Sequence, residues 1–201
     1  MNEEIKIVFD DILISLHEAC VFSVVMSILC TTIYMIIKEC GTKDLIIKWK
    51  QKEKKYHLLL MVLCFYISLM LFRTLFNRDA WFNPFSNIIG VWGIHDLDGN
   101  ITTEAIENII LFVPFSILLS SFFELKKMNM TNISLFKVIL KVAFMFSLSL
   151  EIAQTIFRMG TFQLADIAYN IMGAVLGCLF YLVLNNISEI INKGKENKNE
   201  Y

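Results

Sequence analysis

The sequence contains five stretches of 18 or more mostly apolar residues, separated by polar segments. A helix of about 20 apolar residues crosses the roughly 30 Å hydrocarbon core of a bilayer. Because 56% of the 201 residues are hydrophobic and 18% are charged, the chain has too few polar residues to cover five such helices in water. We therefore predict an all-α fold, a polytopic membrane helix bundle with about five transmembrane helices. The predicted spans are 16–37, 58–76, 106–123, 138–157 and 166–185.

The spans define one transmembrane domain over residues 1–188, followed by a polar cytoplasmic tail over residues 189–201 that we expect to be disordered. Residues 77–105 form the longest external segment and are rich in Trp and Phe. Aromatic side chains favour the membrane interface. This segment is therefore predicted to be an interfacial loop, and the alternative that it dips partway into the bilayer stays open.

The distribution of Lys and Arg predicts the orientation, because cytoplasmic loops carry the excess of positive charge. Residues 38–57 contain seven lysines, and alternate segments place 14 of the 18 Lys and Arg residues on one side and four on the other. We therefore expect a multi-pass membrane protein with the amino terminus outside and the carboxyl terminus inside.

Charge and cysteine content exclude several classes of protein. A net charge of -1 provides no basic field for nucleic acid, so no nucleic-acid partner is expected. The five cysteines include no CxxC pair and are interpreted as small core residues. The acidic amino terminus lacks the basic region of a signal peptide, so the protein is expected to begin near Met1.

Ionisable and amide side chains in the predicted spans gather in the outer half of the bilayer. Such groups are costly in hydrocarbon, so they usually face the interior of a bundle and mark function. The candidate substrate-binding residues are Arg73, Asn108, Gln154, Arg158 and Asn170, and the candidate catalytic residues are Glu151 and Asp166. No metal site and no cofactor are expected.

Helical spacing groups several of these residues on shared faces. Glu151, Gln154 and Arg158 follow the i, i+3, i+7 pattern. If the polar faces of spans four and five turn toward each other, Glu151 and Asp166 can flank Arg158 in a small water-accessible pocket. The short connection between spans four and five makes them antiparallel neighbours. Gly173 and Gly177 form a GxxxG pair that lets another helix approach closely.

Each candidate also has a structural interpretation. Glu151 and Arg158 could form an ion pair that fixes packing, and Asp166 could cap a helix start. The three amides could be interhelical hydrogen-bond partners. His95, in the external loop beside two aspartates, could carry a proton or bind a metal, but such histidines are more often merely exposed.

Two segments, ENIILFVPFSILL and SLEIAQTIFRMGTFQLADIAYNIMGAVLG, resemble the signatures of the VanZ-like membrane proteins. The sequence departs from the family pattern at Gln163 and Ala165, where members commonly carry acidic residues, so a divalent metal held by that turn is not expected. Arg73 and the Asn-Pro-Phe of the external loop resemble the family less tightly. The residues that match the two signatures are Asn108, Pro114, Glu151, Gln154, Gly160, Asp166, Asn170, Gly173 and Gly177.

The resemblance implies a protein of a bacterial cytoplasmic membrane. It also implies a role in low-level resistance to glycopeptide antibiotics, notably teicoplanin, whose acyl tail inserts into the membrane. The expected partners are membrane lipids or lipid-linked envelope precursors, and the lipoglycopeptide itself. The alternative is an intramembrane enzyme that modifies such a lipid. In that alternative Glu151 is the general base, Arg73 or Arg158 holds an anionic headgroup, and Asp166 orients a hydroxyl or water.

Overall fold

The computed structural model of the chain describes residues 20–34, 51–76, 83–93, 103–125 and 130–199, and apart from turns such as 83–93 and 158–163 these residues are mostly helical. No strand occurs within these ranges, so the predicted all-α class is confirmed. The helices are α1 (Cys20–Tyr34), α2 (Gln51–Leu71, continued by a π-helical turn Phe72–Phe76), α3 (Glu104–Leu125), α4 (Asn132–Phe157) and α5 (Leu164–Asn199).

Four of these helices contain stretches long and apolar enough to cross a membrane: Lys55–Leu75, Glu104–Leu125, Asn132–Phe157 and Leu164–Ile191. The shortest has 21 residues, which at 1.5 Å per residue is about 31 Å. The described part of α1 is shorter, and the flanks of its predicted span lie outside the described residues. Large apolar side chains cover the outside of the bundle, with Ile133 and Ile156 about 70% exposed. The chain is therefore a multi-pass membrane protein.

Helices α3 and α5 touch backbone to backbone at the two glycines of the predicted pair. A Cβ atom on Gly173 would overlap the carbonyl oxygen of Ile109, and one on Gly177 would overlap the carbonyl oxygen of Val113. The prediction that this GxxxG pair admits another helix is thus confirmed. The two helices run parallel, because Ala105 packs against the start of α5 while Glu124 accepts a hydrogen bond from Tyr181 farther along.

Helix α4 runs antiparallel to α5, as the short connection predicted. Asn170 bonds to Ser147, and the backbone of Gln163 bonds to Glu151. Helix α2 packs on α3, where the Tyr66 hydroxyl donates to the carbonyl oxygen of Leu111 at 2.8 Å. Fully buried apolar side chains fill the space between these helices, including Met70, Phe112, Ile139, Ala174 and Cys178.

Two expectations from the sequence are wrong. The described part of the tail that was predicted to be disordered is helical, because α5 continues through Asn199. Its Lys and Glu residues are good helix formers and it contains no proline. The cysteines are not all core residues, because Cys20 and Cys30 are exposed on α1 whereas Cys178 is buried. In α1 the buried side chains are Ser23 and Ser27, since small residues favour helix contacts in a membrane and apolar ones can face lipid.

The contact between α3 and α5 predicts the effect of Gly177→Val. The added side chain would collide with the backbone of α3, and overpacking of this kind costs about 1–3 kcal/mol. We expect a lower midpoint of thermal unfolding in detergent. Leu176→Val is the matched control, because Leu176 is 52% exposed on the same helix. Equal midpoints for the two variants would contradict the close contact.

Candidate functional site

Buried polar side chains gather where α2 and α4 end and α3 and α5 begin, which we call the polar end of the bundle. None of them is more than 8% exposed. They come from different helices and lie at the same end of the bundle. We call the set the polar cluster: Thr74, Asn108, Ser147, Glu151, Gln154, Thr161, Gln163, Asp166 and Asn170.

Three members of the polar cluster lie on one face of helix α4. Ser147, Glu151 and Gln154 stand at i, i+4 and i+7, and all three are buried. The predicted shared face of Glu151 and Gln154 is therefore confirmed. At 1.5 Å per residue, the three side chains extend over about 10 Å along the helix axis.

Glu151 joins α4 to the turn that precedes α5. Its Oε2 accepts a hydrogen bond of 2.8 Å from the backbone N–H of Gln163, and its side chain is 3% exposed. Asp166, equally buried, lies in the first turn of α5. A carboxylate in the first turn is favourably placed at the positive end of the helix dipole. Both predicted carboxylates are thus buried at the same end of the bundle.

Two amide side chains connect further helices. The Nε2 of Gln154 donates to the carbonyl oxygen of Thr74 at 2.9 Å, which links α4 to the π-helical turn. The Nδ2 of Asn170 donates to Ser147 Oγ at 2.9 Å, which links α5 to α4. Both contacts fit the interpretation of these amides as interhelical hydrogen-bond partners.

The same amides are incompletely satisfied. Within the described part of the chain, four buried amide atoms have no hydrogen-bond partner, and each belongs to a residue of the polar cluster: Asn108 Nδ2, Gln154 Oε1, Gln163 Oε1 and Asn170 Oδ1. A buried polar atom without a partner costs about 1–3 kcal/mol. The polar cluster therefore has unused hydrogen-bonding capacity in a bundle that is otherwise tightly packed.

The two arginines take other positions than the predicted pocket. Arg158 is exposed and forms the left-handed C-cap of α4, with φ 55°, so it does not pair with Glu151. The helical spacing fails here because α4 ends at Phe157. Arg73 instead forms an ion pair of 2.5 Å with Glu107, whose other carboxylate oxygen accepts from Thr103 at 2.7 Å.

The described part of the loop between α2 and α3, residues 83–93, lies against the start of α5. The backbone N–H groups of Phe162, Leu164 and Ala165 donate to carbonyl oxygens of this loop at 2.8–3.2 Å. These are donors that a helix start and its preceding turn leave unpaired. Gly90 makes the approach possible, because it has φ 79° and a Cβ there would overlap Ala165 and Gln163. The loop therefore covers the turn that binds Glu151.

The other side of the loop is apolar. Phe85, Ile88, Ile89 and Trp92 are between 46% and 69% exposed. Such a surface suits the membrane interface, as predicted. Residues 77–82 and 94–102, with His95, lie outside the described residues. Within the described ranges, no group of three or more His, Cys, Asp or Glu side chains is arranged to hold a metal.

Sequence reasoning did not select four members of the polar cluster. Ser147 had a usable signal, because it lies one turn before Glu151 on the same face. Gln163 was noted as a departure from a family pattern, yet it is buried and its side chain donates to Thr161 at 2.9 Å. Thr74 contributes a backbone carbonyl, a role that a side-chain pattern does not indicate.

The loop contact predicts the effect of Gly90→Ala. A Cβ at this position would strain the backbone and collide with Gln163 and Ala165. We expect faster hydrogen exchange of the amides of residues 162–165, measured by mass spectrometry in detergent. Gly93→Ala is the control, because Gly93 also has positive φ but its Cβ would meet nothing within 4 Å. The same exchange in both variants would argue against the contact.

Comparison with known proteins now identifies the family. The family model described as VanZ/LLP1 matches residues 22–185. The chain is 33% identical over 109 residues to Protein VanZ of Enterococcus faecium, an alignment that covers 49% of this chain and 62% of that protein. No solved structure matches the chain. Since the family model spans most of the sequence, the predicted resemblance is confirmed and the chain belongs to the VanZ/LLP1 family.

Proposed function

We propose that this protein contributes to resistance against glycopeptides of the teicoplanin type by binding the polar part of a membrane lipid or lipid-linked envelope precursor in the polar cluster. The observation that carries the proposal is the set of four buried amide atoms without a hydrogen-bond partner. Side chains that served packing alone would be expected to satisfy each other. Family membership supplies the link to resistance, because VanZ-like proteins are associated with it.

The proposal places the polar cluster at the outer face of a bacterial cytoplasmic membrane. The support is the Lys and Arg distribution, in which 14 of 18 residues fall on the opposite side. The direction of the helices agrees with this count, since α2 begins in the lysine-rich segment and ends at the polar end. With this orientation, the polar cluster has the same depth as the headgroups of the leaflet into which an acylated glycopeptide inserts.

The site residues have distinct roles in this proposal. Gln154, Asn108 and Asn170 hydrogen-bond the polar group of the ligand, while Glu151 holds the turn that carries Gln163. Asp166 stabilises the start of α5 beside them. Arg73, engaged with Glu107, fixes α2 against α3, and exposed Arg158 meets headgroups at the membrane surface.

An intramembrane enzyme acting on a lipid is the second candidate. The burial of Glu151 and Asp166 at one end of the bundle favours it, because carboxylates held away from water can serve as general bases. Such an enzyme would leave a covalently altered lipid in cells that overproduce the protein. Loss of that product in Glu151→Gln would favour the enzyme over a binding protein.

We predict that Glu151→Gln and Asp166→Asn lower teicoplanin resistance. Each change removes a buried charge while it preserves side-chain size. The measurement is teicoplanin susceptibility of cells that produce equal membrane levels of each variant, and we expect a fall to the level of cells without the protein. Glu124→Gln is the control, because Glu124 lies near the far end of α3. Unchanged resistance in both test variants at normal abundance would refute the proposed site.

The orientation gives a separate prediction. In a background without native cysteines, Arg158→Cys should react with a membrane-impermeant maleimide in intact cells, because position 158 is exposed at the polar end. Glu189→Cys, exposed near the end of α5, should react only after the membrane is permeabilised. The reverse pattern would place the polar cluster at the cytoplasmic face and contradict the proposal.

A further inference from the structure

The unpaired amide atoms indicate the chemistry of the ligand. The orientation of the Gln154 amide is fixed, because its NH₂ group faces a carbonyl oxygen, which accepts and cannot donate. Its Oε1 is therefore an acceptor. Gln154 is 2% exposed, and within the described residues this oxygen has no hydrogen-bond partner. An acceptor in this position requires a group that donates a hydrogen bond.

The other three amides widen this requirement. Asn170 and Gln163 each bond to a hydroxyl group at one end and leave the other end unpaired. The unpaired atom of Asn108 is its NH₂ nitrogen, which donates. A complementary ligand must both donate and accept hydrogen bonds at several points, which is the property of a group with several hydroxyls.

The acidic composition of the described lining disfavours an anion. None of the buried side chains in the described ranges is a Lys or Arg, whereas Glu151 and Asp166 are both 3% exposed. Burial of a phosphate or carboxylate without a cation is costly. Arg73 is engaged with Glu107, and Arg158 is exposed. A neutral group therefore fits this lining better than an anionic one.

We propose that the polar cluster binds a neutral, hydroxyl-rich group such as a hexose, with the amides of Asn108, Gln154, Gln163 and Asn170 as its hydrogen-bond partners. This inference rests on the proposed function and names the ligand class of the same site. The apolar outer side of residues 83–93 and the lipid-facing helices lie beside the cluster. They provide a surface for an acyl tail, so a glycolipid and a free sugar are two sources of the same chemistry.

The test uses the purified full chain in detergent micelles, with thermal unfolding measured as a function of added ligand. The probes are glucosyl diacylglycerol, diacylglycerol and phosphatidic acid with the same acyl chains, together with methyl glucoside. We expect glucosyl diacylglycerol to bind at least about tenfold more tightly than either of the other two lipids. Competition by methyl glucoside would show that the free sugar suffices, and its absence would show that the lipid-linked form is the ligand.

Gln154→Met and Asn170→Leu test the assigned amides, because both replacements preserve volume and remove the unpaired atoms. Each should weaken binding of glucosyl diacylglycerol by about tenfold. The control is Ser120→Ala, which removes a buried hydroxyl bonded within the middle of the bundle. The midpoint of thermal unfolding without ligand identifies a variant that fails to fold. The other amide variant then provides the test of binding.

Three results would overturn the inference: equal binding of all three lipids, tightest binding of phosphatidic acid, or unchanged binding by both folded amide variants. Equal binding would mean that water alone fills the unpaired positions. These failures are distinct from failure of the proposed function, which is tested by antibiotic susceptibility. If Glu151→Gln abolishes resistance while the sugar lipid is not recognised, the ligand class alone is wrong.

Discussion

The parallel contact between α3 and α5 is the constraint on which the polar end depends. Consecutive helices of a membrane chain alternate in direction, so α4 runs opposite to both α3 and α5. The two glycines of α5 bring the parallel helices α3 and α5 into direct contact. Their amino-terminal ends therefore lie on the same side of the membrane. Each end has backbone N–H groups without intrahelical partners, and hydrocarbon provides none.

The chain satisfies this demand in two ways. Carbonyl oxygens of residues 83–93 accept from the first N–H groups of α5 and from the turn before it. Acidic side chains in the first turns of both helices, Glu104 and Glu107 on α3 and Asp166 on α5, oppose two parallel dipoles that would otherwise repel each other. The carboxylates at the polar end thus have a structural role at the helix starts that does not depend on catalysis.

Much of this architecture follows from the sequence because a membrane fixes helix length and the depth of polar groups. Four of the spanning helices, the antiparallel pair α4 and α5, and the close approach at Gly173 were predictable on these grounds. The interpretation of Arg158 as a partner of Glu151 is wrong, because helical spacing holds only while the helix lasts and α4 ends one residue before Arg158. The partner of Arg73, Glu107, lies 34 positions away and depends on how α2 packs on α3.

The roles of the loop carbonyl oxygens could not be predicted from the sequence either. The carbonyl oxygens of Pro84 and Ile88 bind the start of α5 through backbone atoms that every residue possesses. Gly90 gave a partial signal, since glycine favours positive φ, but the surface that it approaches is visible in the folded chain alone. In the sequence, Gln163 was notable because members of the family commonly carry an acidic residue there. In the structure, it belongs to the polar cluster because its backbone N–H binds Glu151 and its side-chain amide is buried.

The polar end divides into a fully paired part and a half-paired part. Glu107 uses both carboxylate oxygens, one on Arg73 and one on Thr103, and this group has the completeness expected of a structural contact. The amides of Gln154 and Asn170 each use one end and leave the other buried. Because the same packing satisfies the first group and not the second, poor packing does not account for the difference. The unpaired amide ends are therefore the part of the polar end to which a binding role is assigned.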